Sequence, residues 1–400
     1  MNHLYKAPEH ARHENGADRR DQNTAASAPR VVELSAPGNP FIVESGQSLA
    51  TAKVAYEQYG ALNTAGDNAI LVCHALTGSA HAADLPAEPV PENLKQTRST
   101  SPFTLLGAEL SGWWDPLIGP GKTLDTNKYS VICSNILGSC YGTSGPAENN
   151  PETGKPYAID FPAITVRDMV RLQKRLLDAL GVTRLQLVIG GSLGGMQVLE
   201  WALCFPDFVE TIVPIATAAQ HSPWAIGLNE SARMAIMNDP AWKNGRYTQQ
   251  PQDGLALARA IAMVTYRSPL SFQQRQGRET LNGNGNTPNP FDNAPRYQIE
   301  SYLQYQGKKL VKRFDANSYI AITRAMDSHD VARGRGSLEE TLSSIKAKTL
   351  CIGINSDVLY PAGEQRQIAA AIPHARYAEI DSIHGHDAFL IEFDQLERML

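Results

Sequence analysis

A short apolar run, Leu185–Ile189 (LQLVI), is followed at once by Gly190-Gly191-Ser192-Leu193-Gly194. A helical apolar run from Leu193 to Phe205 then begins and stops at Pro206. No other feature of the chain restricts its fold as strongly. A strand that reverses into a helix within one residue needs a sharp turn, and glycines on both sides let neighbouring backbones come close. The pattern G-x-S-x-G is weak alone, because small residues recur by chance. With a strand before it and a helix after it, it reads as a nucleophile elbow with Ser192 at the apex. The same turn puts the Leu193 N–H at a helix N-terminus, where it can donate to an oxyanion.

A serine hydroxyl is a poor nucleophile without a base. In folds built on this elbow the triad follows the order serine, acid, histidine. Asp357 comes just after the β-type run Thr349–Ile354, and far enough past Ser192 to leave room for an inserted subdomain. A further run, Tyr377–Ile380, leads to His384-Gly385-His386-Asp387. His386 is the expected base, because the helix start that follows it can anchor it; His384 reads as a neighbour. Asp381 and Asp387 are rival acids, but neither follows the right strand. After the first buried run, Ala69–Cys73, comes His74-Ala75-Leu76-Thr77-Gly78. A loop at that place commonly supplies the second oxyanion N–H, here assigned to Leu76. His74 reads as structural, and His81 and His221 carry no motif.

Ala69–Cys73, Tyr129–Cys133, Leu185–Ile189, Thr211–Ile215 and Thr349–Ile354 have the continuous apolar character of strands buried on both faces. Before the elbow strand, Thr165 and Asp168 form a capping-box pattern. An apolar stripe from Val166 to Leu180 follows, and Gly181 ends it. From about 220 to 348 β-type runs are missing and helical patterns such as Gly254–Thr265 replace them, with a polar loop at 281–295. The expected architecture is α/β: an α/β-hydrolase fold with a mostly parallel central sheet and an inserted helical lid. Its core is 31–219 and 349–400, its lid 220–348, and residues 1–30 read as a disordered tail.

The formal charge of −5 argues against a nucleic-acid or anionic-membrane binder. No apolar run approaches the roughly 18 residues of a membrane span, and the N-terminus lacks the apolar core of a secretory signal. The five cysteines include no C-x-x-C pair. They read as small buried hydrophobes in a reducing, cytoplasmic compartment, with no disulfide framework or metal site.

Longer stretches add specificity: HALTGSAH (74–81), GWWDPLIGPGKTLDT (112–126), SNILGSCYGTSGP (134–146), GGSLGGMQVLEW (190–201), RFDANSYIAITRAMDSHD (313–330) and GHDAFL (385–390). Through them the chain, from about residue 40 onward, resembles the homoserine O-acetyltransferase family, α/β-hydrolase-fold enzymes of methionine biosynthesis. The resemblance implies Ser192 as nucleophile, His386 as base and Asp357 as its acid. It also implies Arg259 as the ligand of the amino-acid carboxylate and Asp387 as the ligand of the amine and hydroxyl end. A zwitterion needs a cation and an anion, and guanidinium binds carboxylate as a fork. From the residues alone, Arg259 reads as a surface helix position. Tyr266, seven residues further on, falls on the same helix face and is expected in the same pocket.

The activity so implied is acetyl transfer from acetyl-CoA to the hydroxyl of L-homoserine through an acyl-serine, with no bound cofactor or metal, in a cytoplasmic homodimer. Relatives on this scaffold acylate serine or use succinyl-CoA, and the same triad serves an ester or thioester hydrolase. Lys308, Lys309, Lys312 and Arg313 read as a solvated face or as a surface attracting the CoA phosphates. Arg324, inside an apolar-rich helix pattern, is the cation expected to face the site. One departure stands at 332, where alanine replaces the glycine usual in acetylating members.

Overall fold

The computed structural model describes residues 30–35, 38–103, 111–281 and 297–400. The expected tail lies outside the described residues except for Arg30, and so does the polar loop from 282 on. Arg30 corrects the tail boundary. It opens strand β1 (Arg30–Glu33), paired opposite Tyr56. A backbone ladder accepts any side chain, so the polar Arg30 extends the strand that Val31 and Val32 begin.

The other strands of the main sheet are β2 (Lys53–Tyr59), β3 (Ala69–Cys73), β4 (Gln96–Thr97), β5 (Ser130–Ser134), β6 (Leu185–Gly191), β7 (Thr211–Ile215), β8 (Lys348–Ile354) and β9 (Arg376–Ile380). They form one nine-stranded sheet in the order β9-β8-β7-β6-β3-β5-β2-β1-β4. From β5 through β9 every pairing is parallel; β2 and β1 join antiparallel at the other side. Alternation along β3 feeds two cores. Ala69, Leu71 and Cys73 join the one that contains helices α1 (Val166–Ala179) and α2 (Leu193–Cys204). Ile70 and Val72 join the other, with Trp114, Phe389 and Leu396. Strands buried on both faces are apolar throughout for this reason.

Thr165 caps α1 in a reciprocal box with Asp168. A buried polar chain ties α1 to α2: the Trp201 indole donates to Gln173, and Gln173 donates to Gln197, both at 2.8 Å. Between β7 and β8 the described residues form the helices α3 (Pro223–Met237), α4 (Gln252–Tyr266), α5 (Pro269–Arg275), α6 (Gln298–Val311), α7 (Ala316–Asp327) and α8 (Leu338–Ser343). Helices α9 (Ala362–Ala371) and α10 (Phe393–Met399) follow β8 and β9. Ala332 is not among the residues with positive φ, so alanine meets no backbone strain there. No helix among the described residues is long and apolar enough to cross a membrane. The five cysteines are unpaired; four are buried and Cys204 is half-buried.

Candidate active site

Parallel strands bring their C-terminal ends to one edge, the usual place for a site in such a sheet. There β6 ends in Ser192, whose backbone is strained at φ 59°, ψ −125°. The strain is held from several sides. The Ser192 N–H donates to the Ile215 carbonyl at 3.0 Å, and the Thr217 hydroxyl donates to the Ser192 carbonyl at 2.8 Å. A Cβ at Gly190 would lie 2.4 Å from the Cys73 carbonyl oxygen, and one at Gly194 would lie 2.2 Å from it. The glycines thus let the end of β3 press against the elbow, and the 74–78 turn leaves beside Ser192. That turn is closed by Gly78 N–H to Ala75 O at 2.9 Å.

His74 is fully buried and fixes this turn. Its Nε2 accepts the Ile136 N–H at 3.1 Å, so its Nδ1–H donates to the Ala75 carbonyl at 2.8 Å. Burial pushes its pKa down to about 4, and it stays neutral. Leu76 lines the cavity above Ser192, and Leu193 is the first residue of α2. Their two N–H groups are the candidate oxyanion donors. Arg313 holds the loop from the helical side: its guanidinium donates to Thr77 O at 2.8 Å and to the Tyr141 hydroxyl at 2.7 Å.

Asp357 follows β8 and His386 follows β9. The His386 Nδ1–H donates to Asp357 Oδ2 at 2.7 Å, and Asp357 Oδ1 accepts the N–H groups of Leu359 and Tyr360 at 2.8 and 3.0 Å. With Nδ1 committed to the carboxylate, Nε2 is left to accept a proton. The imidazole is boxed by the rings of Tyr360, Phe389 and Tyr266, 5.3, 5.6 and 5.7 Å away between centroids. Phe389 also underlies the elbow, since a Cβ at Gly191 would lie 2.6 Å from its ring. Burial pulls the His386 pKa down, but the charge and hydrogen bond of Asp357 and the charge of Asp387 outweigh it, leaving the pKa above its usual value. His384 takes no part in this pair: its ring is only half-buried, and burial with Arg275 and Arg267 nearby lowers its pKa.

Ser192, His386, Leu76, Arg259, Tyr266 and Asp387 all line one open cavity of about 260 Å³. Arg259 and Tyr266 share a face of α4, with the guanidinium carbon 5.2 Å from the ring centroid. Among the described residues Arg259 has no salt-bridge partner. Asp387 sits between His386 and Arg267, whose Nε lies 3.2 Å from Asp387 Oδ2. Burial raises the Asp387 pKa, and Arg267 and Arg259 restrain the rise. Lys309 and Trp113 also line the cavity.

Two expectations need correction. Arg324 does not face this site. It is exposed on α7 and lines a separate cavity with Glu44 and Ala158, on the face it shares with Ile320, while Ile322 and Thr323 on the other faces are fully buried. Arg313 is not a solvated cation, since Thr77 and Tyr141 occupy its guanidinium. Sequence reasoning also missed Arg267, Trp113, Tyr360 and His81. His81 lines the cavity and is held by Glu57 at 3.0 Å and Asp84 at 3.2 Å. Trp113 and His81 lay in stretches, GWWDPLIGPGKTLDT and HALTGSAH, that could have flagged them. Among the described residues no three His, Cys, Asp or Glu side chains gather as a metal site would need.

Comparison with known proteins gives the family of the chain. The α/β hydrolase fold family matches residues 68–393. The chain is 50% identical to a homoserine O-acetyltransferase of Moorella thermoacetica over 366 residues, 90% of this chain and 91% of that one. Among solved structures it resembles homoserine O-acetyltransferase from Bacillus anthracis, with TM-score 0.80 and 32% identity over 92% of this chain and 95% of that one. It resembles esterase E22 to the same degree: TM-score 0.80 and 32% identity over 92% and 97%.

Proposed function

Because the chain belongs to the homoserine O-acetyltransferase family, we propose that it moves an acetyl group from acetyl-CoA to the hydroxyl of L-homoserine by a two-step acyl-serine route. Ser192 Oγ attacks the thioester carbonyl as its proton passes to His386 Nε2. The N–H groups of Leu76 and Leu193 receive the oxyanion, and His386 returns the proton to the departing thiolate of CoA. Homoserine then enters the same cavity. Its hydroxyl loses a proton to His386 and attacks the acetyl-serine carbonyl, and the proton goes to Ser192 as that oxygen leaves. Asp357 holds the imidazole in the useful tautomer and offsets its charge.

The observation that carries the acceptor is the pairing of opposite charges on one wall. Arg259, without a salt-bridge partner among the described residues, suits the homoserine carboxylate; Asp387 suits its ammonium group; the Tyr266 ring contacts both Arg259 and His386. The helical stretch 220–348 serves as the lid that brings Arg259 over the core. Lys309, exposed at the cavity wall, suits the CoA phosphates. Trp224 and Met234 on α3 and Leu257 and Val264 on α4 are each at least half exposed, which supports a homodimer joined through the lid. Unpaired cysteines fit a reducing, cytoplasmic setting.

An ester hydrolase is the second reading, favoured by the equal likeness to esterase E22. It differs in one step, water rather than an alcohol deacylating Ser192. Product analysis with acetyl-CoA or succinyl-CoA, each offered with homoserine or serine, decides among the choices. O-acetylhomoserine formed stoichiometrically with free CoA is expected. Free acetate formed at the same rate with and without homoserine would overturn the proposal.

A further inference from the structure

Ser192 lines a second, smaller cavity besides the open one. Ala225, Leu228 and Ala232 of α3, Ala262 of α4, Met326 of α7 and Leu359 beside the triad acid form its apolar wall. Its free volume is about 20 Å³, room for one group the size of a water molecule or a methyl. We propose that this is the acyl chamber: it receives the methyl of a Ser192-bound acetyl group and excludes longer or charged acyl groups, with Leu228 and Met326 setting its depth. The inference rests on the acyl-serine reading above.

The chemistry requires such a place. Donor and acceptor must reach Ser192 in turn through the open cavity, so the acyl group that stays on the serine has to lie out of their path. The small chamber shares Ser192 and Tyr266 with the open cavity and is otherwise walled by different residues.

Its polar end offers an anion nothing. His221 Nε2 is engaged by the Tyr360 hydroxyl at 3.0 Å, and its Nδ1 lies 3.2 Å from Asp327 Oδ1. The Asn229 amide donates to the same carboxylate at 2.8 Å. The Arg233 guanidinium on α3 is already committed to Asp327 at 2.6 Å and Glu230 at 2.7 Å. Among the described residues, arginine and lysine are missing from the chamber wall, and Arg259 lines only the open cavity, so a succinyl carboxylate inside the chamber would be a buried unpaired charge, which is strongly disfavoured.

Two sides of the chamber are also anchored. The Trp224 indole at the start of α3 donates to Val358 O at 2.9 Å, and the Leu359 and Tyr360 N–H groups are tied to Asp357. These bonds fasten the α3 and Leu359 sides of the chamber to the segment that carries the triad acid.

The test is the rate of Ser192 acylation by acetyl-, propionyl-, butyryl- and succinyl-CoA, followed by rapid quench and intact mass in the wild type, Leu228→Ala and Met326→Ala. In the wild type each methylene beyond acetyl is expected to slow acylation about tenfold or more, the usual discrimination by a filled apolar pocket. Each alanine variant should raise the butyryl-to-acetyl ratio by about tenfold, while succinyl-CoA stays poor. Equal wild-type rates for acetyl and butyryl would overturn the chamber alone, and so would an unchanged ratio in variants that still acylate. The wild-type series stands even if a variant fails to fold. Absence of any acyl adduct on Ser192 with every donor would overturn the acyl-serine reading and the chamber with it.

Discussion

The Nε of Arg267 lies 3.2 Å from Oδ2 of Asp387, one residue beyond the imidazole that pairs with Asp357. The ion pair joins the end of α4 to the histidine loop, and the backbones meet there as well. Gly385 has φ 69°, and a Cβ on it would lie 2.6 Å from Ser268 N and 2.8 Å from Arg267 C. The Ser268 hydroxyl donates to the Ile383 carbonyl. Helix α4, which carries Arg259 and Tyr266, and the loop that carries His386 and Asp387 therefore form one unit, and the site is assembled by contact between helical segment and core.

That arrangement makes the pH dependence testable. As a base His386 must be neutral, and the negative charges of Asp357 and Asp387 raise its pKa against the effect of burial. A raised pKa keeps the inactive, protonated form to higher pH, so kcat/KM is expected to climb through a pKa above the ordinary value of about 6.5. Asp387→Asn removes one of the charges that hold the proton and should move this acid limb to lower pH. Glu364→Gln is the control, because burial and the Asp357 charge push Glu364 up to about 7, where its own titration could overlap. A limb that stays in place in Asp387→Asn would mean another group titrates.

The two neighbouring histidines separate cleanly by mutation. His386→Ala should lower kcat on the order of 10³-fold or more, since the base and its orienting acid act as a unit. His384→Ala should cost far less, its ring having no contact with Asp357. Steady-state rates for both variants, with circular dichroism to confirm folding, make the comparison. Similar losses in two folded proteins would contradict the assignment.

Much of this site could be read from residue order alone, and the parts that could not share a physical cause. The elbow, β3, β7, β8, the capping box of α1 and the helical stretch after β7 all carry uninterrupted apolar or periodic patterns, because each has one kind of neighbour on each face. Strand β2 (KVAYEQY) escaped notice because its Glu57 and Gln58 are buried yet polar. Glu57 is paid for locally by Tyr59 and His81, and that pairing exists only after folding. Arg267 and Arg313 were missed or misread for the same reason. A lone arginine in sequence says nothing of the partner brought to it, here Asp387 from the far end of the chain and Thr77 from the turn after β3. Arg324 shows the converse error: an apolar-rich helix was recognised, but which face met the site depends on packing.

Ser192 itself should be a point of stored strain. Its φ of 59° with ψ −125° is a region that side chains with a Cβ avoid, at a cost of about 1–3 kcal/mol. Ser192→Ala keeps the Cβ and the strain, whereas Ser192→Gly relieves it at the expense of some unfolded-state entropy. Both should abolish acyl-enzyme formation, and Ser192→Gly should be the more stable of the two by about 1 kcal/mol. Reversible denaturant unfolding compares them. Equal stabilities would mean the elbow relaxes in the alanine variant.

The partition between the two half-reactions tests the acceptor pocket. Arg259 and Asp387 are proposed to grip the amino acid and not CoA, so removing either should leave acylation of Ser192 largely intact and cripple its discharge. With Arg259→Ala the homoserine carboxylate loses a charge-assisted fork, and a loss of about 10–100-fold in kcat/KM for homoserine is expected, matching roughly 1.5–3 kcal/mol for a hydrogen bond to a charged group. Arg259→Lys keeps the charge but loses the planar fork and should fall between. Asp387→Ala faces a complication that Arg259 does not: it also strips Arg267 of its partner and removes a charge that tunes His386. Its effect on acylation should therefore be measured at a pH well above the acid limb, where the base is neutral in either protein. A rapid burst of one equivalent of CoA, followed by slow steady-state turnover, is the expected signature in Arg259→Ala. If the burst disappears together with turnover, Arg259 serves the donor or the fold, and the carboxylate ligand must be sought elsewhere on the cavity wall.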